Sequence, residues 1–429
     1  MASMKQILCL GAISGAVLGT LPAFAAPAAA PMPMPPPPMP AALRADLAAP
    51  PPLATQVQTP AARLAALAET YYEAQARFDP LSATVTGDNR FDDLLPMTIV
   101  PAVRARQFAM LHEVHDELMR IDRSKLAGTD LTTFDCLLVE TNTQIAFEPF
   151  KDYLLPLNHM DSVPVVVANY GSGDGSQPIT TVAQYRIYLK RVAALPQWLA
   201  AASANMRVGI KEGVVLPKAL VVALLPQIEA LAKATPENSA FSAPVRSFPE
   251  SFTKFERASL NTQYHETLRT AVLPALKKFA TFLAQEYLPA ARSTAGWGGL
   301  PNGANWYRTW VQSQTTSSLN PEEIHRVGMA EMTRIRAELA KVGATLGYKG
   351  EPAGLAGWLD AQPAYHPFKT EAEVLQAYRD LYTRITPALP SLFATLPRAP
   401  LEIRPEPALS RETASDHYTL AASDGSRPG

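Results

Sequence analysis

The stretch Y-H-E-T-L-R-T at residues 264–270 holds the two residue types with which a zinc peptidase opens its H-E-x-x-H helix. In that motif two histidines one helical turn apart face one metal, and the glutamate between them activates the metal-bound water. Here His265 and Glu266 are in place, but Arg269 occupies the position of the second histidine. Tyr264, Leu268 and Val272 recur at i, i+4 and i+8, with His265 one step around, and Glu266 can pair with a cation on its own helix. The stretch therefore reads as ordinary amphipathic helix with no metal site. His112 and His115 are spaced to share a metal, but Glu113, Asp116 and Glu117 surround them, the pattern of a solvated helix face. The remaining histidines, His159, His325, His366 and His417, are scattered.

Two further patterns bear on chemistry. V-P-V-V-V-A-N-Y-G-S-G-D-G-S at residues 163–176 sets a β-branched run before glycines, as a phosphate cradle does. Its spacing is neither G-x-G-x-x-G nor a Walker loop, so it reads as a surface loop with strand-like character. The second is the turn Pro301-Asn302-Gly303 followed by Tyr307, with His325 in the first turn of the next capped helix. A phenol suits a peptide carbonyl or a developing oxyanion, and a neutral imidazole can donate a hydrogen bond or relay a proton. Asn302, Gly303, Tyr307 and His325 are thus the candidate substrate-binding group. The simpler alternative is that the turn only links two helices, Tyr307 packs, and His325 satisfies a buried backbone group.

The elements that would position these residues are mostly helical. Residues 61–79 carry Leu64, Leu67, Tyr71, Gln75 and Phe78 on one face, and Asp79-Pro80 stops them. Residues 103–121 repeat the amphipathic pattern, and further helical text is punctuated by Pro196, Pro226, Pro274 and Pro289. The clearest start signal is Asn320-Pro321-x-Glu323: an N-cap, a proline at the first helical position and the partner of a capping box. Ile324, Val327, Met332, Ile335, Leu339 and Val342 follow as an apolar stripe, with Gly328 beside it, where a glycine lets another helix approach closely. His325 sits at the edge of that stripe.

A net charge of -1 gives no basic surplus for nucleic acid. Lys5, an apolar run over residues 7–21 and Ala23-Phe24-Ala25 have the order of a secretory signal peptide, expected to be cut after Ala25. Residues 26–60 form a proline- and alanine-rich linker, and one helical domain is expected over residues 61–429. No later apolar run reaches membrane-spanning length, so a soluble periplasmic or secreted protein is expected. Cleavage removes Cys9 and leaves Cys136, which reads as a buried, inert thiol among apolar neighbours.

Several stretches in order resemble one bacterial family, the domain of unknown function 885: F-D-P-L-S-A-T-V-T-G-D-N-R-F-D-D at residues 78–93, the segment 185–221, and above all residues 298–339. The last is similar to the family's L-P-G-G…Y-Y…T-T…E-I-H…G…E-V…R-I pattern, with Asn302 where the family has glycine. Asparagine tolerates left-handed backbone better than most residues, so the turn is expected to survive. I-T-P-A-L-P-S-L-F and the closing D-G-S-R-P-G continue the match. The resemblance implies a mainly α, multi-helix, peptidase-like body in an exported protein that uses a metal-bound water and a glutamate base. It implies a peptide substrate and makes zinc the candidate metal of the complete protein. The family's H-E-x-x-P-G-H signature lies downstream of D-G-S-R-P-G, and no position here matches it. The chain is accordingly expected to be an N-terminal scaffold portion, truncated before the catalytic segment, with no catalytic residue, metal ligand or cofactor of its own. It is also expected to leave apolar faces uncovered. The rival expectation is a non-catalytic periplasmic helical protein that binds a peptide or an envelope partner.

Overall fold

A computed structural model describes residues 59–160, 162–172, 175–405, 417–422, 425 and 427–429. The expected signal peptide and nearly all of the linker lie outside them. The protein is mainly α: 70% of the described residues are helical and none of them forms a strand. The helices are α1 (Pro60–Phe78), α2 (Pro80–Val85), α3 (Pro101–Met119), α4 (Gly128–Ala146), α5 (Val163–Gly171), α6 (Val182–Glu212) and α7 (Lys218–Lys233). They continue with α8 (Lys254–Thr267), α9 (Leu273–Phe282), α10 (Leu288–Ala290), α11 (Gly303–Thr315), α12 (Pro321–Thr345), α13 (Leu355–Asp360), α14 (Glu371–Ile385) and α15 (Leu389–Leu392). They divide into two compact units. One takes the described residues up to Thr84 together with Asn89–Trp306; the other takes Val85–Asp88 together with Tyr307–Gly429.

In the first unit the two larger of three apolar clusters do most of the holding. Leu64, Leu67 and Tyr71 of α1 pack with Phe108, Leu111 and Leu118 of α3 and with Phe134 and Leu137 of α4. The larger cluster surrounds α6, whose Tyr188, Val192, Leu195, Trp198, Ala202 and Met206 meet Val221, Leu224 and Ile228 of α7 and the face of Leu260, Tyr264, Leu268, Val272 and Leu276. Burial of this apolar area is the main stabilising term, about 25 cal/mol for each Å² removed from water. The tyrosines bring their hydroxyls inside with partners: Tyr188 Oη donates to the Val167 carbonyl at 2.9 Å and Tyr264 Oη to the Tyr185 carbonyl at 2.6 Å. Tyr287 Oη accepts the Leu216 N–H at 2.9 Å, and burial pushes its pKa up to about 12.

Two expectations are corrected, and the prolines that punctuate the helical text lie inside helices. Residues 163–171 form helix α5, not a strand-like surface loop. Pro164 sits at the helix start, where a missing N–H costs nothing. Pro164, Val167, Ala168 and Gly171 are buried at i, i+3, i+4 and i+7, a helical period hidden inside an all-apolar run. Cys136 is exposed, not buried. α4 turns Phe134, Leu137 and Thr141 inward, and Cys136 falls off that face. Finally, the prolines do not break their helices. Pro196 lies inside α6 and Pro226 inside α7. Residues 254–290 stay helical through two π turns, Leu268–Val272 and Leu283–Tyr287, each just before a Leu-Pro pair. The Leu273 N–H bonds the Leu268 carbonyl and the Leu288 N–H bonds the Leu283 carbonyl, five residues back. These wide turns alter the ladder where a proline ring would otherwise press on it.

In the second unit α12 starts as its sequence dictates. Asn320 Oδ1 accepts the Glu323 N–H and Glu323 Oε2 accepts the Asn320 N–H, both at 2.9 Å, with Pro321 opening the helix. Its apolar stripe is exposed among the described residues. Val327, Met332, Ile335, Leu339 and Val342 are 38–58% exposed, and Gly343 is the one buried residue of α12. α14, capped by Thr370 and Glu373, has no buried residue, and its Tyr378, Leu381 and Ile385 are exposed. Burial in this unit is local: Tyr348 lies against Trp358 at 5.4 Å and returns its N–H to the Gly343 carbonyl at 2.8 Å.

Candidate functional site

The turn before α11 is held almost entirely by backbone. The Leu300 N–H bonds the Trp297 carbonyl and the Gly303 N–H bonds the Leu300 carbonyl, both at 2.9 Å. Asn302 adopts φ 56°, in the left-handed region, a conformation that asparagine tolerates better than most residues. Its carbonyl then accepts the N–H groups of Asn305 at 3.1 Å and Trp306 at 3.2 Å, which starts the helix. Asn305 Nδ2 donates to Asn302 Oδ1 at 2.6 Å. Arg292 pins the segment leading in: Nε donates to the Val215 carbonyl at 3.0 Å and Nη1 to the Gly296 carbonyl at 2.7 Å. Trp306 is buried, stacked on Phe150 at 5.3 Å and tilted on Trp297 at 5.1 Å, and its indole N–H has no acceptor among the described residues.

Gly303 is buried, and a Cβ there would run into the Trp297 carbonyl. The close approach that glycine permits is thus made by the chain's own backbone. Asn302 is exposed beside it. Tyr307 is 41% exposed and His325 is exposed on α12; both belong to the second unit. Neither side chain forms a hydrogen bond within the described residues. Of the four candidates, the structure joins Asn302 and Gly303 in one turn. Because Tyr307 and His325 hold no partner, Tyr307→Phe and His325→Gln are each expected to change the stability of this chain by less than about 0.5 kcal/mol. Urea unfolding measures this, and a larger loss would show that the side chains carry structure.

The histidine motifs behave as surface. Glu266 pairs with Arg269, the residue that stands where a second zinc histidine would be. His112 Nε2 lies 2.8 Å from Glu148, with both side chains nearly half exposed, as a solvated face requires. His366 Nε2 lies 2.6 Å from the Asp360 carbonyl. Among the described residues no group of three or more His, Cys, Asp or Glu is placed to hold a metal, so they supply no donor set for zinc.

Arg191, which no sequence motif marks, is the centre of a buried polar cluster. Its side chain is fully buried on α6. Nε donates to the Leu94 carbonyl at 2.8 Å, Nη1 to Gln177 Oε1 at 2.8 Å, and Nη2 to the Phe91 carbonyl at 2.8 Å and Thr84 Oγ1 at 3.0 Å. Thr84 Oγ1 in turn donates to Asp92 Oδ1 at 2.6 Å, and Asp92 lies 3.7 Å from the guanidinium. Burial pulls the Arg191 pKa below its ordinary value, and Asp92 is the main counterweight. One side chain thereby fastens both ends of the segment around residues 80–94. The cluster is closed to solvent and its donors are satisfied by protein, so it is a structural clamp. The available sequence signal was an arginine between Tyr188 and Leu195, in line with the apolar face of α6.

A family model described as "Bacterial protein of unknown function (DUF885)" matches residues 80–429. No curated protein matches the sequence. Among solved structures, the crystal structure of a "putative lipoprotein" from Colwellia psychrerythraea is similar, with a TM-score of 0.75 and 22% identity. The likeness covers 87% of this chain and 67% of that one, and at this identity it is a likeness of fold. Among the described residues no helix is long and apolar enough to cross a membrane.

Proposed function

The chain belongs to the bacterial DUF885 family, and on that premise we propose that it is the N-terminal scaffold portion of an exported, metal-dependent peptidase. The peptidase chemistry comes from the resemblance of the ordered motifs, since the family's own description assigns no activity. The observation that supports a scaffold role is the state of α12. It lies within the most family-like stretch, it is well capped, and its apolar side is exposed among the described residues. A helix of this kind gains most of its stability from packing that side, so the face is one wall of a larger body. In that body Tyr307 Oη would serve as donor to a peptide carbonyl. Export to the periplasm rests on the N-terminal signal pattern and is in keeping with the lipoprotein description of the structural relative.

The chain alone, purified without a histidine tag, is expected to hold no stoichiometric zinc and to cleave no peptide. The test measures zinc content and chelator-sensitive cleavage of a mixed peptide pool, for this chain and for any longer product read in frame past codon 429. Cleavage by the longer product alone supports the reading. Tightly held zinc or chelator-sensitive cleavage in this chain would overturn its scaffold role. A longer product that binds peptides without cutting them would favour a non-catalytic envelope protein.

A further inference from the structure

We infer that Arg104 is a positioning residue for the start of α11, acting through Phe150 and Trp306. Its side chain is 12% exposed and reaches from the first turn of α3 to the segment that follows α4. Nη2 donates to the Phe150 carbonyl at 2.8 Å and, at longer range, to the Phe147 and Glu148 carbonyls at 3.2 and 3.4 Å. Asp152 Oδ1 lies 2.9 Å from the same nitrogen. A cation shared among helix-end carbonyls and a carboxylate makes charge-assisted bonds, stronger than those between neutral groups. The guanidinium also lies over the Phe108 ring, 4.5 Å from its centroid, which fixes its approach. The turn at residues 147–152 is thereby held at Phe150, and Phe150 is what meets Trp306: the rings are 5.3 Å apart and 8° from parallel. Trp306 ends the first turn of α11, is 2% exposed, and finds no acceptor for its indole N–H among the described residues. Its contacts with Phe150 and Trp297 therefore set the orientation of its ring. Trp297 in turn supplies the carbonyl that accepts the Leu300 N–H and closes the turn before the helix. Each of these contacts lies within the first unit. The residue after Trp306 on α11 is Tyr307, the proposed donor to a peptide carbonyl, so the way α11 starts sets where that phenol stands.

The bearing of Arg104 on function rests on the role proposed for Tyr307, and the test reads structure rather than turnover. The chain is labelled with 5-fluorotryptophan, and its five tryptophans are followed by fluorine NMR, each assigned by its phenylalanine variant. Arg104→Met is expected to shift the Trp306 and Trp297 resonances. It is expected to leave in place those of Trp198, on α6, and of Trp358, which lies against Tyr348. The Leu300 and Gly303 amides are expected to exchange about tenfold faster. Phe150→Leu is expected to move the same two resonances, and Arg104→Met to add little on that background, the mark of a residue that acts through another. Arg104→Lys is expected to return the signals most of the way. The polar contacts of Arg104 all run to one nitrogen, where a lysine ammonium with its three donors can stand. Unmoved Trp306 and Trp297 resonances in Arg104→Met would overturn the positioning role and leave Arg104 a clasp between α3 and the end of α4. So would shifts spread evenly over all five tryptophans, or methionine and lysine variants that behave alike. If Arg104→Met does not fold, Phe150→Leu decides, and an unmoved Trp306 resonance overturns the role. No metal, peptide or cleavage enters these measurements. Failed zinc and cleavage assays would undo the peptidase reading and leave the positioning role in place, and unmoved resonances would do the reverse.

Discussion

Replacing Arg191 with methionine is expected to destabilise the first unit by about 3–5 kcal/mol, the usual consequence of removing one partner from a buried ionic group. Methionine retains a flexible apolar stem, so the loss would come from the polar groups left behind rather than from a cavity. The carbonyls of Leu94 and Phe91 and the Gln177 amide oxygen would lose their donor. Asp92, 4% exposed at its side chain, would keep the Thr84 hydroxyl but lose the neighbouring positive charge. Arg191→Lys should recover little, because one ammonium cannot span acceptors that the planar guanidinium reaches on three nitrogens. Adding Asp92→Asn to Arg191→Met should restore part of the loss, since it removes the orphaned charge. Urea unfolding gives the magnitude, and hydrogen exchange at the amides of residues 80–95 shows whether the loss is local. A single-variant loss below about 1 kcal/mol would mean that water replaces the guanidinium at little cost.

The parts of the fold that were legible in the sequence are those with local causes. Asn320, Pro321 and Glu323 start α12 by contacts within one turn, and Asp79 ends α1 before Pro80. The left-handed asparagine at position 302 was equally local. What the sequence concealed depends on distant partners. α5 is buried on so many sides that its valine run shows no polar face, and Pro164 was its only clear signal. Pro274 and Pro289 punctuate the helical text, but the π turns that accommodate them leave no compositional mark. Cys136 has apolar neighbours in sequence, but a helix sorts neighbours by 100° steps, and Phe134, Leu137 and Thr141 define the inner face without it. Arg191 was invisible because two of its acceptors are backbone carbonyls, which every residue carries, and the side chains it meets lie far off in sequence. At the candidate site the turn could be read, but the reason for Gly303 could not: the carbonyl that excludes a Cβ belongs to Trp297, and no sequence pattern states that approach.

Gly303→Ala is expected to be the most damaging small substitution in the turn, and Asn302→Gly its harmless counterpart. A methyl group at position 303 would be driven against the Trp297 carbonyl, which is itself fixed because it accepts the Leu300 N–H. Relief would require moving backbone that Arg292 and the Trp306 stack hold in place, at a cost of about 1–3 kcal/mol or more. Asn302 poses the opposite problem. Its φ of 56° disfavours any side chain, by about 1–2 kcal/mol for an ordinary residue, and glycine removes that cost. Against this gain stand the lost bond from Asn305 to Asn302 Oδ1 and the greater freedom of glycine in the unfolded chain, together about 1 kcal/mol. The net change should lie near zero. Asn302→Ala has no such compensation and should lose about 1–2 kcal/mol. Thermal unfolding of the three variants gives the order: Gly303→Ala and Asn302→Ala destabilised, Asn302→Gly close to the parent. If Gly303→Ala melted with the parent, the Trp297 carbonyl would have to yield easily. The space beside Gly303 would then be open to a ligand after all, and the turn would become a binding element in its own right.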